Sequence, residues 1–223
     1  MKQRIPLNRD RVLRAAVALA DATGIDGLSM RRLAQELDVV PMALYKHVAN
    51  KEELLDGMTD AVVGEIDPPA PGPDWRGVVR ARILSAREVL LRHPWAARVI
   101  ESRTGPTPAV LAYLDSMAGS FREGGLSADL THHVMHAMGS RLLGFSQELF
   151  ATSGPASAPA GPPDPALAAR YPYIAELAAT AAHDDGSTVG GRGCDDRFEF
   201  EFALDILLDG FETLRLRGWT SAR

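Results

Sequence analysis

The chain has 223 residues, of which 46% are hydrophobic and 24% charged, so it can bury a folded core and wholesale disorder is excluded. No apolar run approaches the roughly 20 residues that cross a bilayer. The first residues lack the apolar stretch of a signal peptide, and the single cysteine, Cys194, excludes an internal disulfide and a cysteine-based zinc site. We therefore expect a soluble cytoplasmic protein.

The net charge of −5 is unevenly distributed along the chain. Residues 1–51 hold nine Lys and Arg against five Asp and Glu, whereas the remainder holds 15 against 24. A basic first quarter on an acidic body favours a nucleic-acid-binding segment joined to a segment that does not bind nucleic acid.

Apolar residues recur with helical spacing from the start of the chain. The first four predicted helices begin at or just after residues suited to an N-cap or a first turn, namely Asn8, Ser29, Pro41 and Asn50. Gly24 is placed to end the first helix in a left-handed conformation, and Glu53 stands in capping-box spacing after Asn50.

Helical patterns continue beyond a proline-rich linker at residues 67–73. The sequence predicts a helix capped by Asp74 and ending near Arg92, then helices near 95–102, 107–123, 127–151, 165–181 and 196–217. Residues 152–165 and the stretch up to about Asp195 predict loops. No strand pattern exceeds four residues, so we expect an all-α protein.

The segment from Ser29 to Val48 has the spacing of two short helices joined by a three-residue turn. Ala34 is small where the helices would approach, and Asp38 lies at the turn, where a left-handed backbone is needed. The predicted core beneath them is Leu33, Leu37, Val39, Leu44 and Val48, and the outward face of the second helix holds Pro41, Met42, Tyr45 and Lys46.

This arrangement indicates a DNA-binding helix-turn-helix. Tyr45 and His47 can donate hydrogen bonds to phosphates, and Lys51 stands at the next helix's N-terminus. The alternative is that Tyr45 and His47 only complete a small core, with the charges on a solvated face.

Residues 28–58, LSMRRLAQELDVVPMALYKHVANKEELLDGM, resemble the DNA-binding domain of the TetR family of bacterial repressors, and the tetracycline-repressor branch in particular. The match covers roughly residues 8–66. It implies that Arg31, Pro41, Met42 and Ala43 contact bases, and that Tyr45, His47 and Lys51 contact phosphates. The implied fold is a three-helix helix-turn-helix domain over residues 1–66, followed by a helical ligand-binding and dimerisation domain over 67–223.

Two residues of the motif depart from the family pattern. The family usually has Gly where Asp38 stands and often Ser or Thr where Val40 stands. Because Val40 cannot cap the helix, Pro41 must do more to start it. With Met42 and Ala43 apolar, base recognition would rest on Arg31 and on apolar contacts such as those to thymine methyl groups.

The last predicted helix is apolar on more than one side. Its large apolar residues include Phe198, Phe202, Leu204, Ile206, Leu207, Leu208 and Phe211. These cannot fit one stripe of about 100°. We expect a homodimer interface, since the resembled family forms a four-helix bundle from its eighth and tenth helices. The alternative is that another internal helix covers the second face.

The resemblance also implies a small-molecule cavity between helices five and eight. Ile100 replaces the family's metal-ligating His, Arg82 an Asn and Ala86 a Phe, and only Glu148 agrees, so metal–tetracycline recognition is not expected. We predict no cofactor. The matching positions predict an apolar cavity that includes Arg82, Ala86, Ile100, Arg103, Leu114, Phe145 and Glu148, with Ile83, Leu90 and Leu111 also facing inward. Arg82 or Arg87, Arg103 and Glu148 are the candidate polar anchors, and an arginine there would favour a ligand that carries a carboxylate. The alternative is that these arginines form salt bridges at the surface or in a dimer.

His132, His133 and His136 cluster on the predicted long helix, and the first and third could share a metal. A metal-dependent helical enzyme is thus the alternative to a regulator, and an architectural DNA binder without an effector is a third interpretation. We predict a repressor that binds a palindromic operator as a homodimer and is released by a small molecule.

Overall fold

The computed structural model describes residues 6–69, 72, 74–144, 165–173, 175–176 and 196–222. Every regular element within these ranges is helical, which confirms the all-α prediction. The elements are α1 (Arg9–Thr23), a 3₁₀ turn (Ile25–Gly27), α2 (Met30–Glu36), α3 (Pro41–Leu44), α4 (Lys51–Val63), α5 (Trp75–Arg92), α6 (Ala96–Glu101), α7 (Pro108–Glu123), α8 (Ala128–Gly144), α9 (Pro165–Arg170) and α10 (Asp196–Leu216).

Side-chain caps fix the starts of four helices where the sequence predicts them. The Asn8 side chain accepts from the amide of Arg11 and that of Ser29 from Arg32. At α4 the Glu53 amide donates to Asn50 Oδ1 at 2.8 Å, and Glu53 Oε2 accepts from the Ala49 amide at 2.7 Å. Asp74 caps α5. These bonds satisfy amides that the first turn leaves without helical partners.

The turn between α2 and α3 contains the left-handed residue expected there. Asp38 has φ 53°, and the other described residues with positive φ are glycines. The Val39 amide donates to the Ala34 carbonyl at 2.9 Å, which closes the end of α2. Val40 makes no side-chain cap, so Pro41 at the first position starts α3, as predicted.

Helix α3 is shorter than the sequence predicts. It ends at Leu44, and Tyr45, Lys46 and His47 form a turn. The amides of His47 and Val48 both donate to the Leu44 carbonyl, at 2.8 and 3.0 Å. The His47 bond spans three residues, as in a 3₁₀ turn, so the chain tightens after Leu44; Val48 is buried there and Tyr45 is exposed.

The N-terminal helices share one core with residues beyond the proline-rich linker. Fully buried residues of α1, α2, α3 and α4 meet there, including Val12, Ala16, Leu33, Leu44, Leu54 and Met58. Val89 of α5, Trp95, and Ala96 and Val99 of α6 belong to the same cluster. The first helices therefore rest directly on α5 and α6.

The chain divides into two compact units, Met1–Leu143 with Thr220–Arg223, and Gly144–Trp219. Helix α10 of the second unit has two apolar stripes. Phe200, Leu204, Leu208 and Phe211 are buried, whereas Phe198, Phe202 and Ile206 are exposed. At 3.6 residues per turn, these stripes lie on nearly opposite sides of the helix.

Several expectations fall outside the described residues. They are the extension of α8 to residue 151, the loop residues 152–164, residues 177–181 at the end of the helix predicted over 165–181, and the loop up to Asp195. None of the helices among the described residues is long and apolar enough to span a bilayer.

Candidate functional site

The α2–α3 region presents a mixed basic and apolar surface. Leu33, Leu44 and Val48 are buried beneath it, as predicted. The residues predicted to contact DNA are accessible: Arg31, Pro41, Met42, Tyr45, Lys46 and Lys51 are exposed, and Ala43 and His47 are half-buried. Their side chains are therefore available to a partner, while the residues between them hold the surface in place.

Lys51 is the first residue of α4, and the acidic Glu52 and Glu53 follow it. Glu53 lies 3.9 Å from Arg9, and Glu52 Oε2 accepts a 2.7 Å bond from Arg103 Nη1. A helix N-terminus attracts anions, but two neighbouring carboxylates oppose that attraction. Arg9 and Arg103 partly neutralise these carboxylates, so the electrostatic potential near Lys51 becomes more favourable for a phosphate.

Polar contacts join the N-terminal helices to the helices that follow. The pairs are Asp21 with His93 and Trp95, Asp26 with Arg98, Glu52 and Asp56 with Arg103, Asp60 with the Ala109 amide, and Glu65 with Arg92 and His93. In each of these contacts the acid belongs to the N-terminal side. The acids of the first helices thus serve in attachment to α5–α7.

His93 is the buried centre of this attachment. Its Nδ1 lies 2.8 Å from Asp21 Oδ1, and its Nε2 lies 3.3 Å from Glu65 Oε2. Desolvation opposes ionisation of Glu65, but hydrogen bonds from Arg92 and His93 outweigh it and hold the pKa of Glu65 below its ordinary value. Trp95 Nε1 donates to the same Asp21 oxygen at 2.7 Å, so one histidine and one tryptophan tie α1 to the α5–α6 corner.

Arg82, predicted to face a ligand, is buried between the linker and α7. Its Nη1 donates to the Asp67 carbonyl at 2.9 Å, and its guanidinium lies 4.9 Å from the centre of the Tyr113 ring. Burial raises the pKa of Tyr113 to about 12 although the Arg82 charge opposes the shift. Among the described residues, neither Tyr113 Oη nor Arg82 Nε has a hydrogen-bond partner. The sequence does not predict a role for Tyr113, because tyrosine on an amphipathic helix carries no specific signal.

A pocket of about 230 Å³ opens where α4, α6 and the start of α7 meet. Ile100 and Arg103, both predicted ligand residues, line it together with Thr59, Gly105, Pro106, Thr107 and Val110. Thr59 and Thr107 were not predicted, since α4 was assigned to DNA binding and the α6–α7 connection had no recognisable motif. The pocket therefore brings two predicted residues together with two buried threonines.

The remaining ligand predictions divide into three groups. Ala86 and Ile83 are buried in α5, and Leu90 is half-buried. Leu111 and Leu114, expected to face inward, are 53% and 40% exposed. The buried residues of α7, Met117 and Phe121, both lie in the second half of the helix, whereas the two leucines lie in the first half and are not covered. Phe145 and Glu148 lie outside the described residues.

The histidine cluster of α8 is at the surface. His132, His133 and His136 are exposed, and the rings of His132 and His136 lie 4.7 Å apart, edge to face. His133 Nε2 is 3.7 Å from Asp129 Oδ1. Within the part of the chain that the structure describes, no group of three or more His, Cys, Asp or Glu residues is arranged to hold a metal ion.

Two family profiles match the sequence. "Tetracyclin repressor-like, C-terminal domain" matches residues 68–215, and "Bacterial regulatory proteins, tetR family" matches residues 12–58.

Among curated proteins, the HTH-type transcriptional repressor DrrR1 of Streptomyces coeruleorubidus is 34% identical, over 93% of this chain and 78% of its own length. An HTH-type transcriptional regulator of Saccharopolyspora erythraea is 43% identical, over 48% of this chain and 45% of its own length. The match to the second relative thus spans less than half of either chain.

Among solved structures, apo ActR of Streptomyces coelicolor superposes with a TM-score of 0.73 at 28% identity, over 96% of this chain and 99% of that one. ActR has also been solved in complex with actinorhodin.

Proposed function

Because the chain belongs to the TetR family of transcriptional regulators, we propose that it is a repressor that binds a palindromic operator as a homodimer and is released by a small molecule. Members of this family are regulators and not enzymes, so the metal-dependent enzyme considered above is wrong. The observation that carries the proposal is the α2–α3 surface, with Asp38 left-handed at the turn and the predicted DNA-contacting side chains accessible.

We assign DNA binding to residues 1–66 and ligand binding and dimerisation to residues 67–223. Arg31 and the α3 residues Pro41, Met42 and Ala43 contact base edges, and Lys46 and Lys51 approach phosphates. Because α3 is a single turn, Tyr45 and His47 act from the turn after it, where their side chains reach the DNA backbone. Operator binding places the protein in the cytoplasm.

The dimer interface is assigned to the exposed stripe of α10. Phe198 and Phe202 stack with their ring centres 6.2 Å apart, and Ile206 continues the stripe. A helix with a buried stripe on one side and an exposed aromatic stripe on the other supports association with a second copy.

The effector is a mainly apolar small molecule bound among α5–α8. The buried residues Ile83 and Ala86 support an apolar environment, and Ile100 in place of a metal-ligating His argues against a metal–drug complex. The complex of the similar protein ActR with actinorhodin supports an organic effector. Release requires that the effector bind the arrangement unable to bind DNA more tightly than the DNA-bound one.

The test is a gel-shift titration with the intergenic DNA upstream of the gene, beside a shuffled duplex of equal length and composition. We expect a discrete complex of two chains on the natural duplex at concentrations at least about a thousandfold below those needed for the shuffled one. Equal affinity for both duplexes would refute an operator-specific repressor and would favour the architectural DNA binder.

A further inference from the structure

We propose that His93 bridges Asp21 and Glu65 as a positively charged imidazolium, and that raising the pH removes one of its protons and frees Glu65. His93 directly follows α5 and is 8% exposed, while Asp21 lies on α1 and Glu65 in the turn after α4. The bridge therefore joins two parts of the proposed DNA-binding domain to α5. Its charge and its pH dependence do not depend on DNA, whereas its effect on DNA binding rests on the function proposed above.

Both ring nitrogens of His93 face carboxylate oxygens. Nδ1 lies 2.8 Å from Asp21 Oδ1, and Nε2 lies 3.3 Å from Glu65 Oε2. An ionised carboxylate only accepts hydrogen bonds, and a neutral imidazole carries a single N–H, so a neutral ring could donate to one of the two acids only. At the other acid, a nitrogen lone pair would face an oxygen lone pair. Two favourable contacts therefore require a proton on each ring nitrogen.

The contacts of the two acids show that they are the ionised partners. Asp21 Oδ1 also accepts a hydrogen bond from Trp95 Nε1 at 2.7 Å, which suits an anionic oxygen. Glu65 Oε2 also accepts from Arg92 Nη2 at 2.9 Å. Burial opposes ionisation of Glu65, but hydrogen bonds from Arg92 and His93 outweigh it and lower the pKa of Glu65. The additional proton is therefore assigned to His93 and not to an acid.

The charges around the ring balance only when His93 is an imidazolium. Its cluster contains the side chains of Asp21 from α1, Glu65 after α4 and Arg92 from α5, and α6 is represented by the uncharged Trp95 that precedes it. Without a charge on His93, this cluster carries two negative charges and one positive charge. Asp26 and Arg98, from the neighbouring 3₁₀ turn and α6, form a separate exposed pair and add no net charge. A second positive charge at the centre makes the cluster neutral.

Loss of one proton breaks the longer of the two contacts. The Asp21 contact is shorter and is supported by Trp95, so the remaining proton stays on Nδ1 and bare Nε2 faces Glu65. Glu65 then keeps its pair with Arg92, which is largely exposed and therefore weak. The end of α4 is held less firmly as a result. Since α4 begins at Lys51, where a phosphate contact is assigned, its position matters for DNA binding.

The charge is tested by ¹⁵N NMR of the full chain labelled at histidine, at about pH 7, where an unperturbed histidine is mostly neutral. We expect both ring nitrogens of His93 to carry protons. The signals are assigned by their loss in His93→Gln or, if that variant does not fold, by contact with the Trp95 indole ring, whose centre lies 6.2 Å away. A neutral ring with one unprotonated nitrogen would overturn the bridge.

The pH dependence is tested by urea unfolding of the wild type and Glu65→Gln at matched protein concentration. A glutamine amide can accept from Nε2–H or donate to bare Nε2, so this variant needs no second proton. The bridge stabilises the wild type fully below about pH 6.5, where an unfolded histidine is protonated, and this stabilisation is lost as the pH rises until the folded chain releases the proton. We expect the urea midpoint of the wild type to fall relative to that of Glu65→Gln between about pH 6 and pH 9.

Asp26→Asn is the matched control for these unfolding curves. It removes the exposed pair with Arg98 and leaves the His93 contacts in place, so its midpoint should follow the pH profile of the wild type. Parallel profiles of the wild type and Glu65→Gln would overturn the pH dependence, whatever the NMR result.

The link to DNA is tested with the intergenic duplex at about pH 6.5 and pH 8.5 and constant ionic strength. His47, assigned to phosphates, is present in both the wild type and Glu65→Gln, so the difference between them isolates the bridge. We expect the wild type to lose about two- to fivefold more affinity than Glu65→Gln as the pH rises. Equal losses would refute the link. A wild-type chain that binds no duplex would refute the proposed function and the link together, while the NMR and unfolding results would still decide the bridge.

Discussion

Asp38 shows how one residue sets the geometry of the candidate DNA-binding surface. Its backbone is left-handed, a conformation that costs most L-residues free energy and that Asp and Asn tolerate better. The Asp38 amide donates to the Gln35 carbonyl at 3.1 Å, and the next amide returns to Ala34. The turn therefore holds α3 against α2 at the expense of local strain.

Substitutions at Asp38 should separate backbone strain from side-chain effects. Asp38→Gly should raise the free energy of unfolding by up to about 1 kcal/mol, because glycine adopts this conformation without a steric penalty. Asp38→Ala should lower it by about 1 kcal/mol. Denaturant unfolding at matched protein concentration measures both, and equal stabilities of the two variants would show that the turn is not strained.

Arg31 and Lys51 are exposed residues with different assigned partners, so their substitutions should differ in kind. Lys51→Ala should weaken binding to operator and random duplex alike and reduce the salt dependence by about one phosphate contact. Arg31→Ala should reduce discrimination between the two duplexes by about 1–3 kcal/mol if it makes a bidentate contact to guanine. Equal losses on both duplexes for both variants would contradict this division of roles.

At the scale of helices, the sequence predicts where a helix begins but not which of its residues are buried. Asn8, Ser29, Asn50 and Asp74 cap as predicted because a cap depends only on the adjacent three residues. The end of α3 and the buried face of α7 depend on tertiary packing. Leu114 and Phe121 are seven residues apart and share one stripe of α7, yet only Phe121 is buried, so periodicity alone could not decide how much of that stripe would be covered.

The residues of the candidate site also fall into two groups, one that the sequence predicts and one that only the structure reveals. The residues proposed to contact DNA lie on one segment, from Arg31 to Lys51, and the motif predicts them without the structure. The pocket is formed by Thr59, Ile100 and Thr107 from three parts of the chain, which only the fold brings together. Sequence spacing carries no information about such a contact.

The close contact between α5 and the end of α7 offers a test of this packing. A Cβ added at Gly124 would lie 2.4 Å from Trp75 Cγ and 2.6 Å from Trp75 Cβ, so Gly124→Ala should force the two helices apart. We expect a loss of about 1–3 kcal/mol of unfolding free energy. Gly119→Ala in the same helix meets nothing within 4 Å and should stabilise by about 0.5–1 kcal/mol through helix propensity. Equal melting temperatures of the two variants would contradict the packing of Trp75 on Gly124.

Across the first compact unit, the DNA-binding helices and the helices after the linker form one packed body. Val89, Trp95 and Val99 lie in the same core as α1–α4, and His93 contacts Asp21 and Glu65 on two different N-terminal elements. A change at α6 or its following loop therefore reaches α1 and α4 through direct contacts. For the effector proposed above, this continuity offers a physical route to the candidate DNA-binding surface.

The proposed function also requires that two chains associate, and Phe202 provides the test. It is 54% exposed on the outer stripe of α10, so Phe202→Glu should leave the buried stripe intact while placing a charge in the proposed interface. We expect sedimentation to show monomers that keep their helical circular-dichroism spectrum.

The same variant should lose most of its operator affinity, because a palindromic site is bound through two half-sites at once. Leu91→Glu, at a residue of α5 that is 43% exposed, is the matched control and should remain dimeric. A dimeric Phe202→Glu with unchanged operator affinity would place the interface elsewhere. A monomer that still bound the full operator with wild-type affinity would instead show that each DNA-binding domain acts alone.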